Sequence, residues 1–360
     1  MARIIAFYLP QYHPIKENDE WYGKGFTEWR SVASAKQLFK GHYQPHIPAD
    51  LGFYDLRLKQ VLLDQVDMAN KYGVDGFCYW HYWFGRGKEL LEQPFKTLLS
   101  DKTINIEFSL AWANHSWAKK QWSNKVKDEL LVEQEYLGER DYEEHFYAYL
   151  EAFKDSRYIK VDNKPLFIIY EPLDSDRIEQ FIVSWRALAQ KEGLNDFYFV
   201  GHDINGRNKD KILGIGFDAV YDDRMLEINN HQNSVMKAIR KMRREVFHKP
   251  SVFEYKEAIK YMVSSDSINE NVIPTIVPNW DHSPRSGGKG IILNHCEPSY
   301  FEMLAKKAIN NVKNKPVDKQ IVLIKSWNEW GEGNYLEPDM KYGKGYLEAI
   351  CNARKEMKMV

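Results

Sequence analysis

The chain has 360 residues, with 50 Lys+Arg against 51 Asp+Glu, a formal charge of −1, and 44% hydrophobic residues. That length supports a large core, the composition excludes a disordered chain, and the even charge excludes a dedicated nucleic-acid binder, which concentrates basic residues. Three scattered cysteines, Cys78, Cys296 and Cys351, exclude a disulfide scaffold and suit a reducing compartment. No apolar run approaches 18 residues, so no transmembrane segment is predicted. The run at 4–9 is too short for a signal-peptide core, and the expected location is cytoplasmic. The 18 Phe, 22 Tyr and 11 Trp exceed what a core alone should need.

In chain order, strands are predicted to begin near Ile4 (IIAFYL), Gly76 (GFCYWHYW), Glu107 (EFSLAW), Pro165 (PLFIIY), Phe197 (FYFVGH), Ala219 (AVYDD), Ile273 (IPTIVP) and Gln320 (QIVLIKSW). Unbroken apolar runs of this kind fit strands buried on both faces. Between the first two, Asp55 is placed to cap a helix carrying Leu62, Val66 and Ala69, which Gly73 ends. Further helices are predicted over 142–153, 176–192, 209–215, 253–263, 300–311 and 346–358. Eight βα units imply an α/β fold, a (β/α)8 TIM barrel forming one catalytic domain over 1–360. The helix-to-strand links are short, as at Gly73-Val74-Asp75 and 193–196. The long links, 10–54, 113–140, 223–252 and 281–298, all follow strands, so the surplus length falls on the C-terminal face, where such barrels hold their active sites.

The strand ends supply the candidate sugar contacts. Strand by strand they are Tyr12 and His13; Trp80, His81 and Tyr82; Trp112 and Asn114; Tyr170 and Glu171; His202 and Asp203; Trp280 and Asp281, with Arg285 beyond; and Trp327, Asn328 and Trp330. Trp117 and Trp122 follow the third strand. Flat aromatic faces suit the C–H faces of sugar rings, and the interleaved polar groups suit hydroxyls. Any single tryptophan here could equally be bulky packing at the rim; the set as a whole points to a saccharide.

Glu329 and Glu332 are the candidate catalytic pair. On a helical turn, residues three apart have Cβ atoms about 5–6 Å apart. Retaining glycosidases hold their carboxylates about 5–5.5 Å apart, and inverting ones about 6.5–9.5 Å. Trp327 and Trp330 should desolvate the pair, so that one pKa rises and an acid–base division follows. Two alternatives stand beside this: that one of these glutamates merely binds backbone or caps a helix, and that Glu171 pairs with Glu329 instead. His81, His202 and Asp281 lack metal-ligand spacing, so neither metal nor cofactor is predicted. Asp174-Ser175-Asp176 reads as the start of a helix with Asp176 and Glu179 as a capping box. Ser286-Gly287-Gly288-Lys289-Gly290 lacks phosphate-loop spacing. Over 233–249, Val235, Ile239, Met242 and Val246 line one face of a helix, with Lys237, Arg240, Lys241, Arg243 and Arg244 around the rest. Such a helix can lie peripherally on anionic lipid; a solvated lid is the plainer reading.

The stretches FYLPQYHPIKENDEWYGKGFTEW (7–29), FKGHYQPHIPADLGFYDLR (39–57), GFCYWHYWF, LAWANHSW, NWDHSPR (279–285) and SWNEWGEGNYLEP (326–338) resemble the WbsX-like family over nearly the whole chain. That family accompanies bacterial surface-polysaccharide synthesis genes and is named as a glycosyltransferase; its sequence is similar to the family 99 glycoside hydrolases, the endo-α-mannosidases. The resemblance implies a (β/α)8 barrel and retaining chemistry on an α-linked sugar. It assigns Glu329 as the base that deprotonates the sugar's own 2-hydroxyl and Glu332 as the general acid. One departure is Gly331, which stands where the hydrolases usually carry histidine. The expected substrate is an oligosaccharide or polysaccharide, or a lipid-linked precursor. The alternatives are a glycosyltransferase of lipopolysaccharide, O-antigen or capsule synthesis, and a silent sugar-binding barrel.

Overall fold

Segments such as IIAFY and LFII are apolar at every position and need cover on both faces. In the computed structural model, which describes residues 1–119 and 129–359, eight such segments run parallel. They are β1 (Arg3–Tyr8), β2 (Gly76–Trp83), β3 (Glu107–Trp112), β4 (Lys164–Ile169), β5 (Tyr198–Ile204), β6 (Ala219–Asp223), β7 (Val272–Ile276) and β8 (Ile321–Ile324). Each pairs with its successor. β1 closes the ring by pairing with both β2 and β8, Ile5 standing opposite Gly76 on one side and Leu323 on the other. The closed (β/α)8 barrel expected from the sequence is the fold observed.

The outer helices are α1 (Lys59–Tyr72), α2 (Gln93–Ser100), α3 (Glu139–Lys154), α4 (Arg177–Lys191), α5 (Lys209–Gly214), α6 (Tyr255–Met262), α7 (Pro298–Val312) and α8 (Gly345–Met359). Strand alternation divides the core in two. Ile5, Phe7, Cys78, Ala111, Ile168, Val200, Tyr221 and Leu323 fill the barrel interior. Their neighbours Ile4, Ala6, Tyr8, Phe77, Leu110 and Val322 pack outward against the helices. Burying each large apolar side chain stabilises the fold by roughly 1.5–3 kcal/mol.

Several local expectations are revised. Gly73 does end α1 in the left-handed conformation, at φ 83°, but Asp55 does not cap it. Its carboxylate turns instead to the backbone and guanidinium of Arg57. Asp176 and Glu179 form no capping box, since Asp176 already has helical backbone angles and caps nothing. α2 was not expected: it is only eight residues long, and the marks of its start are Pro94 in the first turn and buried Phe95 and Leu98. The helix expected from 253 begins at Tyr255, because Phe253 belongs to a short strand, Ser251–Glu254, paired outside the barrel with Ile291–Asn294.

The connections on the C-terminal side, 9–58, 113–138, 224–254 and 277–297, are long, whereas 73–75, 192–197 and 215–218 on the other side are short. Among the described residues no helix is long and apolar enough to cross a membrane, and the three cysteines are unpaired.

Candidate active site

Because side chains alternate along a strand, half of each strand end turns away from the barrel mouth. On β2, Trp80 and Tyr82 face the mouth while His81 faces the helices. His81 Nε2 meets His145 Nε2 of α3 at 2.6 Å, and burial depresses both imidazoles, His81 to about 3. Trp112 likewise packs against Phe181 of α4 and donates its indole N–H to the Trp83 carbonyl. These two predicted sugar contacts therefore belong to the helix layer.

The inward-facing positions build an aromatic floor. Phe7 stacks on Trp80 at 4.8 Å, Trp80 meets Tyr170 edge-on at 5.3 Å, and His202 lies sandwiched between Tyr170 at 4.8 Å and Tyr221 at 4.6 Å. Above it opens a cleft of ≈ 410 Å³ whose lining includes Gln11, His115, Glu171, Arg285, Lys325, Glu329 and Glu332. It runs on into a space of ≈ 470 Å³ beside Tyr22, Phe26, Glu28 and Trp117.

After β8 the chain is strapped to the end of β1. Asn328 accepts from Leu9 N at 2.7 Å and donates to Leu9 O at 3.0 Å, and Trp330 N donates to the Tyr12 hydroxyl at 2.8 Å. Trp330–Glu332 then make a single 3-10 turn, entered from Glu329, which ends the short strand Asn328–Glu329 paired with Asn334–Tyr335, so only Glu332 of the pair lies in the turn. Behind it, the buried carboxylate of Glu337 accepts from Trp330 Nε1 at 2.6 Å, Gln65 Nε2 at 2.7 Å and the Tyr54 hydroxyl at 2.9 Å. Tyr12, Trp327, Asn328 and Trp330 thus form the wall that carries the glutamates rather than the surface of the cleft.

One guanidinium spans the pair. Arg285 Nη2 donates to Glu329 Oε1 at 2.7 Å and Nη1 to Glu332 Oε1 at 2.8 Å, while Glu28 takes Nη2 at 3.1 Å and Nε at 3.2 Å. Three carboxylates around one guanidinium cannot all ionise freely. Burial pushes Glu329 up, and the nearby charges of Glu332 and Glu28 reinforce it. Glu332 goes the other way: against burial, Arg285 above all, then His282 and Lys325, hold it below the usual carboxylate range. The proton of the pair is therefore drawn to Glu329, the reverse of the order implied by the family 99 resemblance. Lys325 closes the floor, with Nζ 3.1 Å from Asp223 Oδ2.

The other predicted residues act behind the surface. Asn114 bonds both backbone groups of the Glu171 peptide, donating to its carbonyl at 2.9 Å and accepting from its N–H at 2.8 Å. Glu171 itself lines the cleft, and burial raises its carboxyl, with Asp174 adding to the effect. His13 is buried, and desolvation lowers its imidazole. Asp203 accepts from the N–H groups of Arg207 and Asn208, each at 2.9 Å. Trp280 is buried beneath Lys325, whose Nζ lies 5.2 Å from the ring centre. Asp281 is held by His42 at 2.7 Å and Gln44 at 2.6 Å. Among the described residues no group of three His, Cys, Asp or Glu could hold a metal ion. Trp122 lies outside the described residues. Sequence reading missed Glu28, His115 and Lys325. Lys325 had a usable signal, since it follows Leu323 by two and so shares its inward side; Glu28 had none, because its partner Arg285 is 257 residues away.

The family described as Glycosyltransferase WbsX matches residues 4–350. An uncharacterized protein WxcX of Xanthomonas campestris pv. campestris (strain B100) is 36% identical over 354 residues, covering 98% of this chain but 49% of the relative, so the chain spans about half the length of that protein. Among solved structures, a glycoside hydrolase-like protein superimposes with a TM-score of 0.61 at 14% identity, covering 98% of this chain and 93% of the other. The GH99 endo-alpha-mannosidase from Bacteroides thetaiotaomicron gives a TM-score of 0.58 at 14% identity, covering 99% and 98%. At such identities the likeness is one of fold.

Proposed function

The chain belongs to the Glycosyltransferase WbsX family, and from that premise we propose that it is a carbohydrate-active enzyme which cleaves or transfers an α-linked glycosyl unit of a bacterial surface polysaccharide or its precursor. In this reading residues 1–360 work as one catalytic unit, with Glu329 and Glu332 as the proton-transferring pair. The observation that carries the reading is Arg285 bridging both glutamates at the edge of an aromatic-floored cleft. In a retaining route, one glutamate takes the proton of the sugar's 2-hydroxyl as that oxygen attacks the anomeric carbon. The other gives its proton to the departing oxygen, and water then adds at the anomeric carbon with the proton flow reversed. Trp80 and Tyr170 offer faces for the ring, and Gln11 and Glu171 offer partners for hydroxyls.

A second reading, transfer to an acceptor hydroxyl in place of water, is favoured by the family's description and uses the same pair. The deciding experiment is mass spectrometry of products from α-linked bacterial oligosaccharides, with and without nucleotide sugars, for wild type and Glu332→Gln. Release without a donor, lost in the variant, supports hydrolysis. Mass gain only with a donor sinks hydrolysis and supports transfer. Oligosaccharide binding without turnover, equal in wild type and Glu329→Gln, would leave a sugar-binding barrel. α-Glycosyl fluorides, whose leaving group needs no proton, then separate the two roles: the acid variant keeps turnover on the fluoride and the base variant does not. Survival of Glu332→Gln supports the order implied by the resemblance, and survival of Glu329→Gln the order favoured by the surrounding charges.

A further inference from the structure

The helix Ser234–Val246, in the long connection after β6, is mounted inside out. It begins where Asn233 accepts from Met236 N at 2.8 Å, and it rests on the strand Ser251–Glu254 and the turn Gly287–Lys289. The side it presses on the protein is its polar one: Arg240 and Arg244 are its half-buried residues, and the Arg240 guanidinium lies 4.0 Å from the centre of the Phe253 ring. The apolar stripe points away from the protein. Val235, Ile239, Met242 and Val246, spaced as one helix face, are 66%, 40%, 50% and 64% exposed, and Phe247 is exposed at the helix end. A helix serving as a lid over its own domain would turn that stripe inward. An exposed contiguous apolar patch marks a binding surface.

Charge indicates what covers it. Thirteen residues carry five basic side chains against the single acid Glu245, in a chain whose formal charge as a whole is −1. Arg243 is exposed at the edge of the stripe, and Lys237 and Lys241 are exposed on the polar side of the helix, where Lys237 Nζ donates to the Asn230 carbonyl at 3.2 Å. An apolar stripe on a helix whose remaining surface is strongly cationic suits the headgroup region of an anionic bilayer: the stripe enters the acyl boundary and the long cationic side chains meet the phosphates around it. The helix also stands on the strand-end side that holds the cleft, and the turn beneath it follows directly on the Ser283–Ser286 helix that carries Arg285. We propose that Ser234–Val246 docks the protein on an anionic phospholipid surface with the cleft mouth on the docked side. The proposal stands apart from the chemistry of the cleft, since docking is read without any saccharide.

The test is flotation of the full chain with vesicles of phosphatidylglycerol and phosphatidylcholine, and with phosphatidylcholine alone. Binding is expected only to the anionic vesicles and should weaken with salt. Lys237→Glu, Lys241→Glu and Arg243→Glu together should lower partitioning by at least about fivefold for each position. Replacing Val235, Ile239, Met242 and Val246 by serine should abolish it, with the far-UV spectrum and Tm retained as evidence of folding. The proposal is overturned by absent flotation with anionic vesicles, by equal flotation with neutral ones, or by serine variants that still bind. Dimerisation in sedimentation that the serine variant removes, without flotation, would assign the stripe to a second copy of this chain.

Discussion

The backbone at Gly331 runs so close to Arg285 that a Cβ there would stand 2.9 Å from its Nε and 3.1 Å from its Nη2, and closer still to Glu28 Oε2. The guanidinium occupies the volume that a side chain at 331 would need. A side chain between the two glutamates therefore requires Arg285 and Glu28 to move from these positions, and the absence of one at Gly331 leaves room for the bridge. Gly331→Ala should push Arg285 and Glu28 from their seats. Overpacking of this kind costs about 1–3 kcal/mol, and turnover should fall at least about tenfold with the bridge distorted. Thermal unfolding and kcat measured on one preparation check both. An alanine variant with unchanged kcat would show that the bridge is dispensable.

Arg285→Gln should act on the pH profile as well as the rate. Removing the cation withdraws the main influence holding Glu332 low, so its carboxyl titrates at higher pH. The acid limb of kcat/KM should then move to higher pH, and kcat/KM at neutrality should fall by about 100-fold or more. A reduced rate with the limb unmoved would mean that Arg285 positions substrate without tuning the pair.

Glu337 tests the wall behind the glutamates. Trp330, Gln65 and Tyr54 all donate to it, and burial pushes its carboxyl up to about 7. Glu337→Gln turns an amide NH2 toward at least one of those donors. Leaving one buried group unsatisfied costs about 1–3 kcal/mol. Denaturant titration should show that loss, with Trp330 less rigidly held and kcat reduced. Unaltered stability would mean that the carboxyl is already protonated and donating.

The His81–His145 contact predicts acid sensitivity remote from the cleft. Both imidazoles are held neutral by burial, whereas in the unfolded chain they take up protons near pH 6.5. From about 6.5 down towards 3 the unfolded state binds more protons, so stability should fall as pH falls, by up to about 1.4 kcal/mol per pH unit for each histidine. His145→Gln should flatten that slope between pH 7 and 5 in denaturant midpoints. An equally steep slope in the variant would place the acid sensitivity elsewhere.

Much of the fold was legible because barrel strands announce themselves. The eight apolar runs from IIAFYL to QIVLIK need no distant information to be read as doubly covered strands, and α1 carries its own stop at Gly73. That Glu329 and Glu332 stand close together was also legible, being local, and both meet Arg285. What contiguous reading blurred was orientation: Trp80, His81 and Tyr82 look equivalent in sequence, yet only the first and third reach the cleft. Glu28 was out of reach because its role exists only through Arg285, which arrives from a different connection. The helix Ser234–Val246 was read correctly in period and charge, but periodicity cannot say which face meets the protein.

The two glutamates follow β8 on a segment tied by Asn328 and Trp330 to the rigid ring, whereas Arg285 and Glu28, two of the groups that shift their proton affinity, come from separate excursions of the chain. A substitution in either excursion can therefore shift the proton affinity of the pair without altering a single strand of the ring.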